Sequence, residues 1–277
     1  MQQSTQLNVI TVIIALFYSC TVLNAHEFWI APDRFIVNET EKISANLRVG
    51  QMMRGTAYGY YPRHFKRFEV KTNTKLHPLE GRLGDKPAIS LPPQGNSLIT
   101  IIHQTTNSTI SYNSWAKFEE FITEKSMLEV RDQHIRNKYP KTEFKEIYSR
   151  YAKALIGSGS SIGIDQKMGL EVELVLLQNP YIDDLSEGLI IELFYKGQAL
   201  TNTQIEVFAR NPEKEVTRST VFTNEFGQVL IKTLPQTDYM LNSVIIRKPK
   251  KIQNLSKNSD QPILWESLWA STTFRAP

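Results

Sequence analysis

The sequence predicts a mainly β protein: two β-sandwich modules with a helical pair between them. Three observations predict it. Apolar and polar residues alternate with a period of two in short runs on both sides of the middle of the chain, as at residues 43–49 and 204–209. Clusters of Gly, Pro and Asn separate these runs, Pro92-Pro93-Gln94-Gly95-Asn96 among them. Between Ser114 and Gly157 the apolar spacing changes to that of a helix.

The chain opens on an apolar leader. Residues 9–23 are almost continuously apolar, and Leu23 and Ala25 occupy the two positions that a signal peptidase reads. The run is shorter than the ~20 residues of a bilayer span. Residues 1–25 are therefore expected to be a cleaved secretory signal, which makes the mature protein periplasmic with His26 as its first residue. The leader has no Lys or Arg, so an uncleaved membrane anchor is the alternative. Cys20, the only cysteine, lies inside it. After cleavage the chain has none, which excludes a disulfide scaffold and a thiolate metal site. Lipid attachment at Cys20 would make that residue the first, but Phe17-Tyr18-Ser19 is a poor approach to it.

Residues 26–112 form the expected N-terminal sandwich. Residues 34–37 make a strand before the turn Asn38-Glu39-Thr40-Glu41, residues 43–49 alternate up to Gly50, and residues 65–70 and 97–102 are further strands. Residues 113–160 form the expected helical connector. Trp115, Phe118, Phe121, Ile122 and Leu128 share a helical face that Ser114 can cap. Phe144, Ile147, Tyr148, Tyr151 and Leu155 share another, capped by Thr142 and stopped at Gly157. Residues 157–161, Gly-Ser-Gly-Ser-Ser, read as a flexible connector.

Residues 161–277 form the C-terminal sandwich. Residues 170–175 alternate, residues 189–195 are a strand, Lys196-Gly197 turn into the next, and Thr223-Asn224-Glu225-Phe226-Gly227 make a turn before residues 229–231. This order resembles prealbumin-like and other immunoglobulin-like sandwiches, a likeness that bears on fold and not on function. A last strand follows a polar loop and holds Trp265, Trp269 and Phe274.

The formal charge of +4 belongs wholly to the mature part, with its densest basic runs at residues 63–67 and 247–251. That is too thin a stripe for a nucleic-acid binder, and secretion argues the same way.

Several segments together resemble one family. They are His26-Glu27-Phe28-Trp29-Ile30-Ala31-Pro32, Leu47-Arg48-Val49-Gly50, Tyr148-Ser149-Arg150-Tyr151-Ala152-Lys153-Ala154-Leu155, Gly169-Leu170-Glu171-Val172-Glu173-Leu174 and Trp265-Glu266-Ser267-Leu268-Trp269-Ala270-Ser271. The family is the bacterial domain of unknown function DUF4198, described as a periplasmic component of cobalt or nickel uptake systems. The resemblance implies a divalent metal cargo and a membrane transporter component as partner. Two positions depart from it: Ile245 stands where many relatives have a histidine, and Gln51 where they often have a glutamate.

Five histidines are present, with no His-Glu-x-x-His motif. His26 differs by position. A free α-amine of pKa ~8 releases its proton to a metal readily. The amine and the imidazole Nδ1 can close a ring on one ion, nitrogen donors that suit nickel, copper and zinc. A further ligand is needed, and His103, His64 and Glu27 are the candidates. His103 ends an apolar run, whereas His64, His77 and His134 read as structural or surface residues, His134 on a charged helical surface. Trp29, Trp265 and Trp269 read as core. Arg150 and Lys153 lie on the polar side of the second helix, where Glu146 can pair with Arg150. Asp183-Asp184 falls in a loop, and no catalytic motif is present. The expected function is capture of nickel or cobalt by a non-enzymatic binding protein. The alternative is a metal-free structural or interaction module that binds a protein or glycan partner.

Overall fold

The computed structural model describes residues 26–72, 75–250 and 261–277. The leader, with its cleavage, anchor and lipid alternatives, and most of the polar loop before the last strand lie outside the described residues. The strands of the first region are β1 (Glu27–Pro32), β2 (Ile36–Val37), β3 (Ile43–Gln51), β4 (Arg54–Tyr58), β5 (Phe65–Lys71), β6 (Leu76–Pro78), β7 (Ile89–Leu91), β8 (Ser97–Thr105) and β9 (Ser108–Tyr112). Helices α1 (Trp115–Glu124) and α2 (Leu128–Arg136) follow, and then β10 (Phe144–Ser158). The remainder is β11 (Val172–Leu176), β12 (Leu189–Tyr195), β13 (Gln198–Ala199), β14 (Gln204–Arg210), β15 (Val216–Phe222), β16 (Gln228–Ile231), β17 (Thr237–Arg247) and β18 (Ile263–Ala276).

The protein is mainly β, and its sheets stack in three layers. The middle layer is a ten-stranded sheet in the order β15-β14-β17-β18-β10-β8-β5-β6, with β2 and β9 also paired to β10. Its centre is the parallel pair β10–β18, and β8 runs antiparallel on the other side of β10. Strands from both ends of the chain thus share one sheet.

Successive side chains on a strand point to opposite faces, so each central strand feeds two cores. On β18, Leu268, Ala270 and Phe274 enter the core beneath β11, β12 and β16, while Trp265 and Trp269 enter the core beneath the helices. On β8, Leu98 and Ile102 go to the first core, whereas Ile99 and Ile101 meet the small sheet β1-β3-β4 and β7. The three tryptophans expected in the core are there, each 5% exposed or less.

The helical reading of residues 142–157 was wrong. Residues Phe144–Ser158 form β10, a fifteen-residue strand. The apolar positions fit a helical face only if the residues between them are solvated. Glu146 and Lys153 are in fact buried. A strand buried on both faces shows no alternation to read. Residues 157–161 are no flexible connector either: Gly157 and Ser158 pair with β2 and β8, and Ser158 and Ser161 are buried. The helical pair lies earlier. Leu128 does not continue the first helix but starts α2, after a break at Ser126 with φ 56°. Ser114 precedes α1 in extended conformation but makes no capping bond.

His134 is not a surface residue. It is fully buried against Trp115, Phe118 and Trp265. Trp265 Nε1 donates to its Nδ1 at 3.0 Å, and its Nε2 lies 3.0 Å from the Pro140 carbonyl.

Candidate functional site

The site is organised by β1, which pairs with β3 along one edge and lies across β10 and β18. Two hydroxyls of β18 hold it there. Ser271 Oγ donates to the Phe28 carbonyl at 2.7 Å and Thr273 Oγ1 to the Ile30 carbonyl at 2.8 Å. Alternation then aims Phe28 and Ile30 into the core over β8, while Glu27 and Trp29 face the other way.

Beside Phe28 a cavity of about 360 Å³ opens between the small sheet and the edge of β8 and β10. Its size falls in the range of small-molecule sites, about 300–1,000 Å³. Phe28, Tyr58, Phe65, Tyr148, His103 and Arg150 line it, and Arg63 and His64 reach it from the segment before β5. The lining residues include no Asp or Glu.

His103 points inward and is 1% exposed, with its ring centroid 5.1 Å from that of Phe28, 4.7 Å from Phe65 and 4.9 Å from Phe68. Neither ring nitrogen has a hydrogen-bond partner. Burial pushes its pKa down to about 3, so the ring is neutral at physiological pH.

Arg150 projects from β10 into the same cavity. Its guanidinium carbon is 5.8 Å from the Phe28 ring centroid and 4.8 Å from that of Tyr148. Nη2 donates to the His26 carbonyl at 3.3 Å, and Nε is buried with no acceptor. Its main-chain N–H donates to Thr105 Oγ1 at 3.0 Å, which ties β10 to the end of β8. Burial pushes the guanidinium pKa below its ordinary value.

The expected pairing of Arg150 with Glu146 is not made. Four residues along a strand separate them by about 13 Å. Glu146 instead accepts from Tyr112 Oη at 3.0 Å and from Ser267 Oγ.

The four candidate metal ligands fall in different surroundings. His103 floors the cavity. His64 is exposed at its rim, and its Nε2 accepts a bond from Arg63 Nε at 3.2 Å. His26 is exposed just before β1, with its carbonyl on Arg150. Glu27 is buried on the opposite face of β1, towards Lys125, Glu206 and Arg218. Burial raises its carboxyl to about 7 despite the opposing pull of Lys125. Lys125 Nζ lies 2.8 Å from Glu206 Oε2, so that cation is engaged with another acid.

Among the described residues no three His, Cys, Asp or Glu side chains come together as a metal ligand set. The residues present do not fit a protein-built nickel or cobalt site: two arginines line the cavity, Glu27 faces away from it, and one nitrogen of His64 is engaged. Ile245, the position of the missing family histidine, lines a separate groove with Lys125 and Arg247.

The residue missed from sequence was Arg150, read as a solvated helix residue. The aromatic residues beside it, Tyr148 and Tyr151, were the hint. Asp183 and Asp184 do fall in a loop, between β11 and β12.

A family model described as a domain of unknown function, DUF4198, matches residues 23–247. No curated protein matches the chain.

Proposed function

The chain belongs to the DUF4198 family, and we propose that it is an exported, non-enzymatic binding protein that captures a small molecule in the cavity beside Phe28. One observation carries this reading: the cavity concentrates buried polar atoms that no protein group satisfies, both nitrogens of His103 and the Nε of Arg150. Buried polar groups are nearly always paired in folded proteins, and those that are not call for a partner from outside. An apolar, concave lining with a few convergent polar groups is the usual form of a ligand site.

Nickel or cobalt capture, the cargo implied by the family description, is not part of the proposal, because the described residues do not fit the metal. Transfer to a membrane component remains compatible with a small-molecule cargo.

Three measurements test the reading. N-terminal sequencing of the secreted product is expected to give His26. A thermal-shift screen of the purified protein against a small-molecule library is expected to give hits that disappear in Val49→Trp, which fills the cavity from β3. Hits that bind Val49→Trp equally well would contradict the site. Nickel or cobalt bound tighter than about micromolar, and lost when one residue is added before His26, would overturn the reading in favour of metal capture.

A further inference from the structure

The charges around the cavity identify the class of ligand, an inference that rests on the cavity being a binding site. Arg150 brings a permanent cation into an aromatic enclosure formed by Phe28 and Tyr148. It donates there to a main-chain carbonyl, that of His26, and hydrogen-bonds the Tyr148 side chain, while Nε points at no acceptor. No carboxylate lines the cavity, and Glu146, the nearest acid along β10, is occupied by Tyr112 and Ser267. A second guanidinium, that of Arg63, stands at the rim beside His64. The remaining walls are apolar or aromatic apart from the hydroxyl residues Thr105, Thr106 and Ser108, and His103 at the floor is a neutral ring.

A desolvated cation without a countercharge is unfavourable, and an anion that enters removes the deficit. The guanidinium fork matches a carboxylate bidentately, with two parallel N–H···O bonds, and the free Nε–H is one edge of such a fork. A ligand that offered only charge would leave the exposed Tyr58 ring uncovered, and one that offered only an apolar body would leave Nε unpaired.

We infer that the cavity takes a small organic carboxylate with an apolar or aromatic body, the carboxylate bound by Arg150 and the body lying against Phe28 and Tyr58.

Isothermal titration of the purified protein with benzoate, benzamide and acetate tests this. Benzoate is expected to bind, and benzamide and acetate to bind at least about tenfold more weakly. Arg150→Gln is expected to weaken benzoate binding by at least about tenfold, and Arg150→Lys, which keeps the charge and loses the fork, by an intermediate factor. If Arg150→Gln does not fold, the Lys variant and the salt dependence of the unaltered protein carry the test, since benzoate affinity must fall as ionic strength rises. Benzamide binding as tightly as benzoate, with both abolished by Val49→Trp, would overturn the carboxylate and leave the cavity standing. Benzoate binding that neither Arg150→Gln nor Val49→Trp alters would remove the cavity itself. No benzoate binding at millimolar concentration overturns the carboxylate, and library hits blocked by Val49→Trp would then show that the cavity binds something else.

Discussion

His103 and Glu146 are buried titratable side chains, and burial favours the neutral form of each. His103 carries two ring nitrogens without partners in an aromatic nest. An unsatisfied buried polar group costs about 1–3 kcal/mol. His103→Phe is therefore expected to raise the unfolding midpoint while weakening ligand capture; calorimetry and the ligand screen check the two halves, and a lowered midpoint would show that the ring has a stabilising partner. Glu146 has its carboxyl raised by burial to about 7, against the pull of the Ser267 and Tyr112 hydroxyls. The sign follows from linkage. The folded state holds this proton more tightly than the unfolded one, so the carboxyl subtracts stability progressively as pH rises from about 4.5 to about 7. The lowered pKa values of His103 and His134 act in the opposite direction over part of this range. The informative quantity is thus the difference between Glu146→Gln and the unaltered protein. Denaturant titrations should show that the variant gains about 1–3 kcal/mol relative to the unaltered protein between those limits, and a difference independent of pH would refute the assignment.

The same residues show why some elements could be read from sequence and others could not. A strand with one weakly covered side, such as β3, kept its alternation and was legible. The turn at Thr223–Gly227 was legible because its chemistry is local: Asn224 Oδ1 accepts from the N–H groups of Phe226 and Gln228, and Gly227 takes φ +75°. β10 was illegible because its charges are paired by residues far along the chain. Lys153, 1% exposed, sits 2.8 Å from Asp165 Oδ1 and 3.3 Å from Glu173 Oε1. Lys153→Met leaves two buried carboxylates without their cation and is expected to cost about 3–5 kcal/mol in chemical denaturation. A cost under about 1 kcal/mol would mean that β10 is solvated as the helical reading supposed. The β3–β4 turn makes a second test. Met52 and Met53 both have positive φ, 51° and 54°, a conformation that favours Asn or Gly. Met53 is buried beside Trp29, whereas Met52 is exposed. Met52→Asn should stabilise by about 0.5–1 kcal/mol, and Met53→Asn should destabilise because it empties a core position.

At the scale of the whole molecule, the parallel pairing of β10 with β18 places the last strand in the middle of the sheet. β8 from the first region and β17 from the last lie on either side of that pair. The two sandwiches therefore share their central layer, and unfolding should be one transition, with circular dichroism and tryptophan fluorescence coincident in denaturant. Two separated transitions would show that the regions fold independently. The shared layer also explains the site: β1 crosses the sheet centre, held by Ser271 and Thr273 of β18, and so sets Phe28 opposite Arg150. The candidate ligands His26, His64 and Glu27 were visible in the sequence as residue types, but which of them face the cavity depended on strand alternation and on a β10 that sequence periodicity concealed. The central claim is that this cavity holds an organic carboxylate on Arg150. A crystal structure with benzoate tests it most directly: the account predicts density for the carboxylate within hydrogen-bond reach of the Arg150 guanidinium and for the ring against Phe28, and a cavity left empty at saturating benzoate would contradict it.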